Sequence, residues 1–228
     1  FGGGLLKKTN EKGFKSLFKS KKFITEKYDE DKDRVIEKYN ELGYRDAIIL
    51  ADSVVDRGDN TVDVYIDIDE GQKYYVRDIN WVGNTVYSTD ALTKVFQMEK
   101  GDVYNTKHIS KRLNEDEDAI GNFYYNEGYV FNRIEPVEVE IDGDSIDLEI
   151  RISEGTQARI NKIKIYGNTR VYEDVIRREL KLKPGDLFSM DAFKMSYQEL
   201  GQMGHFDPEQ MTFQPVSDPL NGTVDLDL

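Results

Sequence analysis

The sequence predicts an α+β protein built from tandem copies of one small unit, each running β-α-α-β-β. Three observations carry that reading. Landmarks recur in the same order at a fixed interval. Gly83-Asn84-Thr85 returns as Gly167-Asn168-Thr169, Gly101-Asp102-Val103-Tyr104 as Gly185-Asp186-Leu187-Phe188, and Glu70-Gly71 as Glu154-Gly155, each 84 positions on, while Gly43-Tyr44 returns 85 on as Gly128-Tyr129. A constant period across several landmarks marks repeats of one folded unit. Within each period, helical spacing of apolar residues gives way to strict alternation. Finally, 228 residues with 38% hydrophobic and 33% charged content suit small, surface-rich domains better than one large core. The period sets the units at 1–72, 73–155 and 156–228.

The middle unit reads completely. Tyr75 to Val82 is predicted as a strand, ended by Gly83-Asn84, where glycine adopts positive φ at little cost and asparagine tolerates it. Ser88 to Phe96 fits a short helix, with Ser88 as N-cap, Asp90 at the positive helix end and Leu92, Val95 and Phe96 inward. Lys100-Gly101-Asp102 is expected to end it. One long helix is predicted from Thr106 to Glu127, its apolar face made by Ile109, Leu113, Ile120, Phe123 and Tyr124, with Gly128 as the terminating glycine. Two strands follow, Tyr129 to Ile141 and a second whose Ile146, Leu148, Ile150 and Ile152 alternate with Asp147, Glu149 and Arg151. Asp142-Gly143 marks the hairpin turn between them.

The third unit keeps this order. Ile160 to Tyr166 opens it, Val175, Ile176 and Leu180 lie on the short helix, Phe193, Tyr197 and Leu200 on the long one, and Thr223 to Leu228 closes it. The long helix is expected to be two turns shorter than in the middle unit, since eight fewer residues separate its bounding glycines. The first unit has a long helix (Asp31 to Leu42) and a hairpin (Tyr44 to Val55, Thr61 to Asp69). Its opening strand is missing, and a Lys-rich segment from Leu5 to Lys22 stands in the place of the short helix. Phe1-Gly2-Gly3-Gly4 reads as an artificial edge or an interior start.

Net charge is −13. The three units contribute −3, −8 and −2. Nucleic acid binding rests on neutralising phosphates with Lys and Arg, so nucleic acid is excluded as a partner; anionic headgroups repel such a chain as well. Cysteine is absent, which removes disulfides and thiolate metal sites. No catalytic, cofactor or metal constellation is present. His108 and His205 lack a second histidine at ligand spacing. Glu115-Asp116-Glu117-Asp118 reads as a solvated helix face, because consecutive helical positions point in different directions. Asp142-Gly143-Asp144-Ser145 lacks the distal glutamate of a calcium loop. Tandem small domains present extended binding surfaces, so the predicted function is binding.

The ordered landmarks resemble those of POTRA domains, the periplasmic repeats of outer-membrane assembly proteins of the BamA kind. The resemblance rests on the strand ending in Gly-Asn, the Gly-Asp-aromatic entry to the long helix, Gly-Tyr or Gly204-His205-Phe206 before the hairpin, and Glu-Gly at the end of the closing strand. The third unit, with Val175-Ile176-Arg177-Arg178-Glu179-Leu180 and Leu200-Gly201-Gln202-Met203-Gly204-His205-Phe206, resembles the last POTRA before the membrane barrel. The resemblance implies a three-stranded mixed sheet packed by two helices, with the closing strand central. It implies the last three repeats of a larger outer-membrane protein whose own C-terminal β-barrel is absent from this chain. It further implies periplasmic exposure in a Gram-negative bacterium, accessory lipoproteins and unfolded outer-membrane proteins as partners, and no cofactor. A POTRA interaction module of a secretion or cell-division protein, with no unfolded client, is the alternative.

Edge strands accept other chains by strand addition, and prolines discriminate among them. Pro136 and Pro215 are expected to interrupt the second strands of the middle and last units. The equivalent first-unit stretch, Ala47-Ile48-Ile49-Leu50-Ala51, has no proline, which makes it the expected client-strand site. Arg177, Arg178 and Lys181, opposite the apolar face of their helix, are the expected accessory-subunit site.

Overall fold

The computed structural model describes residues 23–58, 61–168, 171–206 and 211–228. The segments Phe1–Gly4 and Leu5–Lys22 and the landmark Thr169 lie outside the described residues. Contacts gather the chain into two compact units. One takes the described residues up to Asn80, Met98–Ser110 and Glu138–Leu148. The other takes Trp81–Gln97, Lys111–Val137 and Glu149–Leu228. Both draw on the middle repeat.

The first repeat begins with α1 (Thr25–Glu41), which buries Tyr28, Asp31, Val35 and Tyr39 at spacings of three and four, one face of a helix. Gly43 at φ 95° ends the helical course. Strands β1 (Ile48–Asp56) and β2 (Val62–Asp69) follow as an antiparallel ribbon, with Leu50 as an extra residue between the paired positions Ile49 and Ala51. The core here is Val35, Tyr39 and Ala47, with Ile36, Tyr44 and Ile68 against it.

The middle repeat contributes β3 (Tyr75–Val82), α2 (Thr89–Phe96), α3 (Thr106–Ser110), α4 (Ile120–Asn126), β4 (Arg133–Asp142) and β5 (Ser145–Ser153). Its sheet runs β3-β5-β4, so the closing strand is central as the resemblance implied. Ile146, Leu148, Ile150 and Ile152 are buried in the predicted alternation. Ser88 caps α2, its hydroxyl accepting from the Ala91 N–H. That helix ends before Lys100, at Gln97, which takes the left-handed region at φ 55° and donates to the Thr93 carbonyl.

The predicted long helix from Thr106 to Glu127 is not continuous. After α3 the chain widens into one π-helical turn, Lys111–Glu115, leaves helical geometry through Asp116–Ala119 and restarts at Ile120. Arg112 accounts for the break. Its guanidinium is buried and donates to the Val95 carbonyl at 2.6 and 2.8 Å, and to Asp118 at 2.7 and 3.0 Å. Val95 lies in the last turn of α2, where carbonyls lack helical partners, so Arg112 stitches two helices together. Asp116 adds an ion pair at 3.2 Å. The acidic run is therefore not simply a solvated helix face: Asp116 and Asp118 hold a buried cation, which is costly to bury unpaired. The eight extra residues of this repeat form the wide turn and loop rather than two more helical turns.

The third repeat consists of β6 (Arg159–Lys164), α5 (Glu173–Glu179), α6 (Met190–Gln202), β7 (Gln214–Asp218) and β8 (Thr223–Asp227). Here the long helix is unbroken. The sheet runs β6-β8-β7, with β6 parallel and β7 antiparallel to the central β8. Ile160, Ile163, Ile176, Leu200 and Leu226 are among its buried core. Pro136 and Pro215 sit inside β4 and β7, which continue through them. They do not interrupt the strands as expected: both lie on the outer strand of a sheet, where a missing N–H is tolerated.

Glu154, just beyond β5, ties the end of its sheet to the turn after β3. Its carboxylate accepts from the N–H groups of Thr85 (2.7 Å) and Val86 (2.8 Å), from the Thr85 hydroxyl and from the Tyr124 hydroxyl (3.0 Å). Gly83 opens that turn at φ 88°, and a side chain there would run into the Ile152 carbonyl oxygen. Gly101, at φ 93°, faces open space. Gly83→Ala should therefore combine backbone strain with overpacking and cost about 3 kcal/mol, while Gly101→Ala should cost about 1–2 kcal/mol from strain alone. Thermal melts followed by circular dichroism on both variants will read that difference.

Candidate functional site

The edges of the three sheets are not equivalent. In the two complete sheets the outer edge of the first strand is closed at its start by the Gly-Asp landmark. The Val76 N–H donates to the Asp102 carbonyl at 2.8 Å, and the Gly101 N–H to the Val76 carbonyl at 2.7 Å. The same pair recurs 84 residues on, with Ile160 N–H to Asp186 at 2.9 Å and Gly185 N–H to Ile160 at 2.7 Å. The opposite outer strands, β4 and β7, carry the prolines. Strand β1 has neither protection: among the described residues it pairs only with β2. Its large side chains are prominent at the surface, with Ile48 53% and Leu50 59% exposed.

The predicted Ala47–Ala51 stretch divides in the structure. Ala47 precedes β1 and is buried in the first repeat's core. Ile48, Leu50 and Ala51 are exposed and Ile49 is half-buried. Leu50 forms the bulge, a device that twists an edge locally, so the longer regular edge runs from Ala51 to Asp56. Sequence reasoning missed a second open edge. In the complete sheets the closing strand has a parallel neighbour, whereas β2, the equivalent strand of the first repeat, has only β1 among the described residues.

Arg177, Arg178 and Lys181 do not form a free basic patch. Arg177 is half-buried, pairs with Glu173 at 2.6 Å and donates to the Ile163 carbonyl at 2.9 Å. Arg178 pairs with Glu179 at 3.3 Å, and Lys181 with Glu199 at 2.8 Å. The latter two are exposed, and exposed pairs are worth little and exchange readily. His108 lies on α3, and His205 lines a cavity of about 490 Å³ with Tyr166, Phe206 and Met211.

The segments joining successive repeats are built alike. The N–H of Tyr74 donates to the Gly43 carbonyl at 2.8 Å, and that of Ala158 to the Gly128 carbonyl at 2.8 Å. The carbonyls of Tyr74 and Ala158 in turn accept from Tyr104 and Phe188 at 3.0 and 3.1 Å. Side chains distinguish the two joints. At the first, Arg45 pairs with Glu138 at 2.7 Å and Asp46 at 2.7 Å, Tyr104 donates to Glu138 at 2.6 Å, and Tyr74 donates to Asp46 at 2.6 Å. Lys107 reaches Glu41 at 2.8 Å. At the second, Asn126 bonds the Asp191 side chain and N–H, and Tyr125, Val130 and Phe131 pack on the last core. Burial and then the Glu138 hydrogen bond push the Tyr104 phenol well above its ordinary value. Hydrogen bonds from Lys107 and Lys38 hold Glu41 below the usual carboxylate range.

A family model described as POTRA, "Surface antigen variable number repeat", matches residues 3–71, 74–155 and 158–228. The chain belongs to the POTRA family. Relatives include a putative outer membrane protein assembly factor of Treponema pallidum, 27% identical over 194 residues, covering 82% of this chain and 23% of the relative. Another is outer membrane protein assembly factor BamA of Neisseria meningitidis, 27% identical over 213 residues, covering 92% of this chain and 26% of the relative. The chain thus spans about a quarter of their length. Among solved structures, POTRA3-5 of Haemophilus influenzae BamA superposes with a TM-score of 0.70 at 21% identity, over 91% of this chain and 81% of that one. These POTRA repeats resemble those of BamA in sequence and fold. Among the described residues no helix is long and apolar enough to cross a membrane.

Both Glu41 and Glu154 make the POTRA repeats acid-sensitive. Burial raises the Glu154 carboxyl, and the donors from Thr85, Val86 and Tyr124 outweigh that and leave it depressed. A carboxylate depressed in the folded state contributes stability that is fully present above its unfolded value, near 4.5, and is lost as pH falls through the folded value. Urea midpoints should hold steady from pH 7 to about 5 and fall below that. Glu154→Gln should lower the neutral midpoint and flatten the acid limb.

Proposed function

We propose that this chain is a non-catalytic periplasmic binding arm of an outer-membrane β-barrel assembly protein, made of three POTRA repeats bounded near residues 72 and 155. It receives unfolded client strands by β-augmentation and scaffolds accessory subunits. The family and the relatives named as assembly factors support the arm. The observation that carries the client-binding reading is the outer edge of β1, which has no strand against it among the described residues, no proline and no Gly-Asp segment across its start. Strand addition reads backbone more than side chains, which suits a receptor for many clients.

A photo-reactive client peptide, with crosslinks mapped across all three hairpins, tests this reading. Crosslinks should concentrate within residues 47–54. Labelling at 132–139 or 210–217 with none at 47–54 would exclude it. Accessory docking at the last repeat is tested on Arg178→Glu with Lys181→Glu, since Arg177 also holds α5 to the Ile163 carbonyl. The double variant should keep its melting temperature and co-purify less with the other assembly subunits.

A further inference from the structure

The β1–β2 ribbon is sharply biased in charge. Its two strands contain Asp52, Asp56, Asp63, Asp67 and Asp69 and not one lysine or arginine. The register assigns these residues to faces. Ile49 pairs with Ile68, which packs on the α1-side core, so Asp52, Val54 and Asp56 also face α1. Lys32 of α1 confirms this, reaching Asp52 at 3.3 Å. Ile48, Ala51, Ser53 and Val55 lie on the other face. Among the described residues the nearby cations are already engaged: Lys32 with Asp29 and Asp52, Arg57 with Asp63, and Arg45 with Asp46 and Glu138.

A strand added to the edge of β1 would sit about 4.8 Å away, and each of its side chains would stand beside the β1 residue on the same face. Its α1-side positions therefore meet Asp52 and Asp56, with only Val54 between. Its other face meets Ile48, Ala51, Ser53 and Val55. Opposite charges at directly facing positions stabilise and like charges destabilise.

We propose that the β1 edge selects among incoming strands by charge. It takes an extended segment with lysine or arginine on the α1-facing positions and apolar residues on the other, and it rejects carboxylates at the former. This deepens the strand-addition reading and rests on it. The selection comes from Asp52 and Asp56 beside the edge, whereas Asp63, Asp67 and Asp69, paired with Val55, Ala51 and Ile48, lie one strand further in on the opposite face.

Three fluorescent nine-residue peptides sharing one apolar alternation, with Lys, Ser or Glu at the intervening positions, provide the test. Anisotropy titrations of the full chain at low and high salt give affinities, and a photo-reactive group in each peptide maps the site. Affinity should fall from Lys to Ser to Glu, by about tenfold or more between the ends, with labelling on β1. The spread should collapse in high salt, where screening shortens to about 3 Å. It should also collapse in Asp52→Asn with Asp56→Asn, a change that keeps the side-chain shape and the oxygen bonded to the Gly58 N–H. Equal affinities with all three peptides on β1 would overturn charge selection and leave strand addition standing. A Lys preference that persists in the double variant, or that labels sites outside β1, would assign it to the overall negative charge and overturn the proposal. No labelling of β1 by any peptide would remove the strand-addition reading itself.

Discussion

One backbone hydrogen bond, made twice, fixes how the second and third repeats begin. The helix that ends a repeat's first half stops at a glycine in the left-handed region, and that glycine's carbonyl accepts from Tyr74 in one joint and Ala158 in the other. Glycine is required for space as well as for φ. A side chain at Gly43 would stand 2.6 Å from Val103, and one at Gly128 would stand 3.3 Å from the Ala158 carbonyl. With the linker held there, its own carbonyl takes the N–H of Tyr104 or Phe188. That draws the Gly-Asp landmark across the start of the next strand, so the start of the sheet, the landmark and the joint form one construction.

That construction also decides which edges remain open. In the two complete repeats the segment held by the joint lies along β3 or β6, and the opposite edge bears a proline. The first repeat escapes both devices, and its ribbon is the one rich in exposed apolar side chains and free of basic residues. Edge protection is what natural sheets ordinarily supply, so its absence on β1 among the described residues is informative in a protein whose two complete sheets keep it. The joints differ in chemistry too. The first is charged, linking Arg45, Glu138, Asp46, Lys107 and Glu41, and the second is chiefly apolar with one asparagine clasp.

Much of this was legible in the sequence because the information was local or periodic. The 84-residue period marked the units, Ser88 announced its helix by its capping chemistry, and the alternation from Ile146 to Ile152 gave the most buried strand. The continuous helix over 106–127 failed for a non-local reason. Arg112 finds the Val95 carbonyl 17 residues earlier, and no helical pattern encodes that. The prolines were correctly placed on outer strands, but a strand whose neighbour lies on one side only can run straight through them. The basic patch on α5 was read from its own helix, while Glu199 comes from another helix and the Ile163 carbonyl from β6. Arg45 and Glu138 meet across 93 residues, a distance at which sequence pattern carries no signal.

The central position of the closing strand has a consequence for the order of assembly. In the middle sheet β5 is the last strand made and the one on which both others depend for pairing. Until β5 docks, β3 and β4 lack their common partner. The Gly-Asp segment bonds the start of β3 without help from β5, and the proline in β4 limits what that strand can recruit. The landmarks that mark the repeat in sequence are thus local contacts that need no central strand, placed on the two strands that depend on one.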